Sequence, residues 1–329
     1  GVSKMQKLQM ATQEGNNVCV VAVKSNFDAC QSAVKEIFTS EDCKEELKKR
    51  GYILSSANSI NFGRLAPQIA YYFSAYLDLV SSGQIEMGEK VNFAVPTGNF
   101  GNILAAYYAK RMGLPVGKLV CASNKNNVLT DFIRTGVYDR RREFYKTMSP
   151  SMDILISSNL ERLLFELSGR EPKRIALRME KLKQEGVYEI YDEEKEALSE
   201  LFYADYCGED ETVETIYEFF EEYQYPMDTH TACAMYAAAN YMEKAKDHDT
   251  PMVVVSTASP YKFPQDVMYS LTGNDIKDSF KAIKHLNITT AMKVPKSLSG
   301  LRDKPVRFNI VADKDKLYAE VLKFAQPKK

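Results

Sequence analysis

Apolar residues in this chain gather in short continuous runs, and the stretches between the runs carry apolar positions at helical spacing. VNFAV at Val91 to Val95 is one such run and predicts a strand buried on both faces. Pro96 and Thr97 end it, Gly98, Asn99, Phe100 and Gly101 form a tight turn, and Ile103, Leu104, Tyr107, Tyr108 and Met112 then mark a helix closed by Gly113. Lys118 to Ala122 and Pro251 to Val255 predict two further buried strands, with others at Val18 to Val23 and Tyr52 to Leu54. Helices are expected from about Lys4 to Glu14, over Cys30, Val34, Ile37 and Phe38 with Asn26 and Asp28 as caps, and over Ile69, Tyr72, Phe73, Tyr76 and Leu77.

Residues 139–225 differ in character. RRREFYK is basic and Glu189 to Glu222 densely acidic, while Leu198, Leu201 and Phe202, then Val213, Ile216, Tyr217 and Phe220, fall at helical spacing. Beyond them DTHTACAMYAA predicts a helix capped by Asp228 or Thr229, with Ala232, Met235, Tyr236 and Ala239 on its packing side and His230 at its start. Gln265 to Leu271 is a further helix, and the tail is read as a closing helical segment. At the start of the chain, a helix feeding an apolar strand is the second half of a βαβ crossover. Its first strand is not in the sequence, so the chain is expected to be part of a longer polypeptide.

Chemistry enters at the glycine turn. A helix start leaves backbone N–H groups unpaired and carries partial positive charge, so it can hold a phosphate without a charged side chain. The turn is equally compatible with a plain βα connection: it lacks the lysine of a P-loop and the glycine pattern of a dinucleotide fold. Composition excludes other classes. The 329 residues carry a net charge of −1, which gives no field for nucleic acid or an anionic membrane. No apolar run reaches the length of a membrane span and no secretory pattern opens the chain, so a cytoplasmic protein is expected. The six scattered cysteines and three histidines form no metal-binding spacing.

PTGNFGNILAAYYAKRMGLP resembles the phosphate-binding loop and following helix of threonine synthases, pyridoxal-phosphate enzymes of the tryptophan-synthase-β-like class. SSANSINFGRLAPQ, SNKNNVLTDFIRTGVY, SPSMDILISSNLERLLFEL, DTHTACAMYAA and STASPYKFPQDV are similar to further blocks of that family, in family order. The resemblance implies an α/β fold of fold type II: a three-layer parallel sheet with a helical insertion, incomplete at its N-terminus. It divides the chain into a partial smaller lobe at 1–70, a pyridoxal 5'-phosphate domain at 71–138 and 226–329, and the insertion at 139–225. It also implies conversion of O-phospho-L-homoserine and water to L-threonine and phosphate by β,γ-replacement; oligomeric state stays open.

By that resemblance Gly98, Asn99, Phe100, Gly101 and Asn102 hold the cofactor phosphate, and Thr257 of STASPYKF meets the pyridine nitrogen. A hydroxyl there cannot protonate the nitrogen as a carboxylate would, which leaves the ring a weaker electron sink. Many relatives have His where this chain has Ser259. Asn58, Ser59, Asn61 and Arg64 are implied to hold the substrate, the arginine offering a planar fork to its phosphate. Read without the family, Asn58 and Ser59 cap the next helix, Arg64 makes a surface ion pair and Thr257 satisfies a strand end. Asn124, Asn126 and Asn127 sit at a strand end where ligands gather, and serve equally as turn residues.

The catalytic lysine, which in the family forms a Schiff base within an F-K-D segment, has no counterpart here, since F-K-D does not occur in this sequence. Two readings follow: a portion of an active enzyme whose lysine lies outside this stretch, or a non-catalytic homologue that binds phosphate-bearing metabolites or acts as a partner subunit. Another pyridoxal-phosphate lyase of the same fold is a weaker third.

Overall fold

The structure, a computed structural model, describes residues 4–25, 27–57 and 61–326. In chain order it contains α1 (Lys4–Ala11), β1 (Val21–Val23), α2 (Phe27–Thr39), α3 (Glu41–Lys49), α4 (Phe62–Leu65), α5 (Ile69–Ser81), β2 (Val91–Pro96), α6 (Gly101–Arg111), β3 (Val116–Ser123), α7 (Val128–Thr135) and β4 (Val137–Asp139). Then come α8 (Leu160–Leu167), α9 (Pro172–Gln184), β5 (Val187–Glu189), α10 (Asp192–Leu201), β6 (Phe202–Tyr206), α11 (Glu209–Tyr223), α12 (Thr229–Ala245) and β7 (Met252–Val254). The chain closes with α13 (Pro264–Thr272), α14 (Ser279–Thr290), α15 (Lys296–Ser299), β8 (Ile310–Ala312) and α16 (Leu317–Phe324). It divides into two compact units, 57–278 with 282–291, and 1–56 with 279–281 and 292–329.

In the larger unit a four-stranded parallel sheet has the order β6-β3-β2-β7. Every residue of β2 is buried, as a central strand with helices on both faces requires. Alternation splits its side chains between two cores. Val91, Phe93 and Val95, with Leu119 and Cys121 of β3, pack under α5 and α6; Ala94, Val120 and Ala122 pack on Ala234, Ala237, Ala238 and Tyr241 of α12. The result is the expected three-layer arrangement. Small residues let α12 approach closely, and its buried face is turned from the expected one, since Ala239 is exposed. α6 stops where Gly113 takes φ +103°, a left-handed conformation that suits glycine.

Two strands fall where helices were expected. Phe202 shares helical spacing with Leu198 and Leu201, yet it opens β6, which pairs with β3 from Leu119↔Phe202 to Ser123↔Tyr206. In the tail, β8 pairs in parallel with β1, Val21↔Ile310 to Val23↔Ala312, within the smaller unit. The core of that unit is Ala33, Ile37, Cys43 and Leu317, with Val21, Val23 and Leu54 against it. Tyr52 to Leu54 is not a strand: its backbone folds back on α3 through Tyr52 N–H to Leu47 O (2.9 Å), and Ile53 is 93% exposed. α1 ends at Ala11, short of Glu14, and Asn26 lies outside the described residues. Among the described residues no helix is long and apolar enough to cross a membrane.

Candidate functional site

The carboxyl ends of β2 and β7 lie side by side, with Ala94 opposite Val254 and Val255 N–H donating to Ala94 O (2.9 Å). Thr97, three residues beyond Ala94, leads into the glycine turn, and Thr257, exposed, stands three beyond Val254. The sheet therefore carries both sequence-predicted cofactor elements on one edge, where open α/β folds bind ligands.

The turn is held from one side. Gly98 O accepts from Ser157 Oγ (2.8 Å), and Asn99 O accepts from Asn159 N–H (3.2 Å) and Nδ2 (2.8 Å). Asn99 Oδ1 accepts from Ser158 Oγ (3.2 Å). With its carbonyls turned towards Ser157–Asn159, the backbone N–H groups of Gly98, Asn99, Phe100, Gly101 and Asn102 donate no hydrogen bond among the described residues. α6 has no acidic residue in its first turn. Consecutive unpaired donors at the start of an eleven-residue helix are chemistry that fits a phosphate.

The left-handed residue of the turn is Phe100 (φ +62°), not a glycine. A bulky residue in that region is strained, and here its ring is 1% exposed and packs against Phe202 at 5.8 Å, so burial in the core offsets the strain. Gly98 has a different duty: a Cβ there would meet Ser151 O at 2.7 Å and Met152 Cα at 3.3 Å. It is a close-approach glycine.

Asn102 is oriented from α5. Tyr72 Oη donates to Asn102 Oδ1 (2.5 Å) and lies 3.0 Å from Asn102 O, which commits the amide oxygen and leaves the NH2 group as the free end. Burial pushes the Tyr72 hydroxyl well above the usual tyrosine range, so it stays a donor. Tyr72→Phe is expected to cost about 1 kcal/mol of stability by leaving a partly buried acceptor unpaired, read from urea unfolding. Unchanged stability would contradict the orienting role.

Asn58 and Ser59 lie outside the described residues. Asn61 caps α4, its side chain accepting from Gly63 N–H (2.9 Å), and the exposed Arg64 donates through Nη1 to Ala57 O. α4 rests on α6 through Phe62 and Tyr108, ring centroids 6.3 Å apart, and Arg162 lies 5.9 Å over the Phe62 ring. The asparagines after β3 are structural. Asn124 Nδ2 reaches Thr147 Oγ1 and Asp153 Oδ1 (both 2.8 Å), and Asn126 bonds Tyr145 in both directions at 2.9 Å. Ser157, Ser158, Asn159 and Tyr72 were not read from sequence as site residues; SSN before an apolar run was the available signal for the first three.

Residues 231–321 match the family model described as "Threonine synthase, C-terminal". The human protein "Threonine synthase-like 1" is 44% identical over 281 residues, 85% of this chain and 37% of that protein. The threonine synthase of Pseudomonas aeruginosa is 39% identical over 81% of this chain and 54% of its own length. Among solved structures, a PLP-bound threonine synthase from Brucella melitensis superposes with TM-score 0.82 at 35% identity, covering 98% of this chain and 63% of that one. The yeast threonine synthase gives 0.83 at 31% identity, over 98% and 62%. The chain thus spans about a third to three fifths of the length of these four relatives. From the glycine turn, the sheet edge that carries it and these matches, the chain belongs to the threonine synthase family.

Proposed function

We propose that the complete protein is a cytoplasmic threonine synthase that uses pyridoxal 5'-phosphate to convert O-phospho-L-homoserine and water to L-threonine and phosphate. The observation that carries this reading is the row of unpaired N–H groups from Gly98 to Asn102, on the same sheet edge as Thr257. Those donors and the Asn102 amide would hold the cofactor phosphate, and the Thr257 hydroxyl would meet the pyridine nitrogen. When bound, the cofactor supplies an electron sink for carbanions formed beside the substrate amine. Burial of β2 and packing of α6 fix the turn before anything binds, so little ordering cost is left for that step. Arg64, with Asn58, Ser59 and Asn61, would take the substrate phosphate. Proton transfer at carbon is assigned to no residue of this stretch.

The test is phosphate release from O-phospho-L-homoserine by the full-length protein in the presence of pyridoxal 5'-phosphate. Threonine formed in equal amount supports the proposal; no turnover by protein that has retained the cofactor overturns it. Arg64→Ala is expected to raise KM about tenfold or more with a smaller effect on kcat, as loss of a charge-assisted phosphate contact would. An unchanged KM would remove Arg64 from the substrate site.

A second reading is favoured by the human relative, whose 44% identity exceeds the 39% to the bacterial threonine synthase. In it the protein keeps the fold and the phosphate cradle and binds phosphate-bearing metabolites without forming threonine. Cofactor binding without phosphate release separates the two.

A further inference from the structure

His230 is 2% exposed, at the start of α12, and both ring nitrogens are engaged. Nδ1 lies 3.0 Å from Asp228 Oδ1, and Nε2 accepts from Ser151 N–H at 3.1 Å. The contacts define one neutral tautomer, with Nδ1–H donating to the carboxylate and Nε2 carrying the lone pair. The ring also stands 4.7 Å from that of Phe263, so it has little room to turn.

Each end of this pair leads to one side of the candidate cofactor site. Ser151, whose N–H the ring holds, presents the carbonyl that crowds Gly98. Asp228, at the other nitrogen, accepts through Oδ2 from Thr231 Oγ1, which lies 3.4 Å from Ser256 Oγ, beside Thr257. Burial by itself would raise the Asp228 carboxyl, but the hydrogen bonds from His230 and Thr231 outweigh it and hold the group below the usual carboxylate range. A charged, fully engaged carboxylate thus anchors a polar chain running from Ser151, which lies against Gly98, to Ser256 just beyond β7.

We propose that His230 is a positioning residue: by fixing Ser151 it sets the backbone against which the glycine turn is formed, and by holding Asp228 it ties that turn to the strand end bearing Thr257. This rests on the proposed cofactor reading and adds a residue to it. Both ring nitrogens of His230 are taken by Asp228 and Ser151, so the proposal gives it no bond to the cofactor phosphate. Its effect is on where the phosphate donors stand.

The test compares the affinities of full-length wild type, His230→Ala and His230→Gln for pyridoxal 5'-phosphate and for pyridoxal, which lacks the phosphate, with apoprotein melting temperatures alongside. His230→Ala is expected to bind pyridoxal 5'-phosphate about tenfold or more weakly while its affinity for pyridoxal changes little, because a misplaced turn forfeits charge-assisted bonds to the phosphate alone. His230→Gln, whose Oε1 can accept from Ser151 N–H, is expected to recover most of the loss. Equal binding by wild type and His230→Ala overturns the proposal. So does equal weakening towards both ligands, or a glutamine variant no better than alanine. If His230→Ala does not fold, the comparison is read between His230→Gln and the shorter His230→Asn, and equal phosphate selectivity of those two overturns it. Failure of wild type to bind either ligand would instead refute the cofactor reading itself.

Discussion

Gly98→Ala in the full-length protein is expected to weaken retention of pyridoxal 5'-phosphate about 10- to 100-fold, and Gly98→Asp to abolish it. The reason is local. A Cβ on Gly98 would sit 2.7 Å from Ser151 O and 3.3 Å from Met152 Cα, and both are backbone atoms that cannot rotate out of the way. Overpacking of this kind costs about 1–3 kcal/mol, and at about 1.4 kcal/mol per tenfold the upper part of that range gives the stated loss if the strain falls on the turn. Aspartate adds a negative charge beside donors suited to an anion. Gly113→Ala is the control: its Cβ would meet nothing within 4 Å, so it should lower stability by roughly 1 kcal/mol through its positive φ and leave cofactor affinity alone. Cofactor retained by Gly98→Asp would remove the cradle argument.

The β2–turn–α6 unit was legible because its signal is local. A short apolar run fills a strand buried on two faces, and the helix after it shows its period and its stop within a dozen or so residues. The same kind of run marked β3 and β7, while the parallel three-layer arrangement was what the family resemblance implied. β6 was hidden because Phe202 continues the spacing of Leu198 and Leu201; only pairing with β3 turns FYADY into a strand. β8 is hidden in the same way, being a three-residue strand whose partner β1 lies almost 300 residues earlier. Tyr52 to Leu54 shows the converse error, an apolar triplet that pairs with no strand among the described residues.

Within the site, the glycine turn could be found from sequence but its workings could not. Local rules assign φ > 0 to glycine, whereas the chain places Phe100 there and offsets the strain with core packing. Which carbonyls turn away is decided by Ser157 and Asn159, about 60 residues downstream. His230 was placed from sequence at the start of a helix, and it is buried there. Its grip on Ser151 depends on a contact 79 positions away that no spacing reveals.

Loss of the Arg178 guanidinium is expected to be among the most destabilising single changes in the larger unit. Arg178 and Glu194 are 6% and 2% exposed and paired through both carboxylate oxygens, Nη1 to Oε1 at 2.8 Å and Nη2 to Oε2. Glu194 Oε2 also accepts from Tyr191 N–H (2.9 Å) at the start of α10, and Arg174 stands 3.7 Å from Oε1. The pair therefore ties α9 to α10, which runs directly into β6 at the edge of the sheet. Burial alone would raise the Glu194 carboxyl; the bonds from Arg178 and Tyr191, with Arg174 nearby, outweigh it and depress the group. A depressed folded-state value means a stabilising contribution that is fully present above the unfolded carboxyl range and fades as pH falls through the folded one. Arg178→Met leaves a buried carboxylate with its main partner gone, at a cost of about 3–5 kcal/mol at neutral pH by urea unfolding. The deficit should shrink as acid protonates Glu194 in the variant. Arg178→Met with Glu194→Leu should recover most of the loss, because what is costly is the stranded charge and not the absence of the pair. A single-variant loss below about 1 kcal/mol, typical of an exposed ion pair, would show that solvent reaches the carboxylate and that the tie between α9 and α10 rests on packing alone.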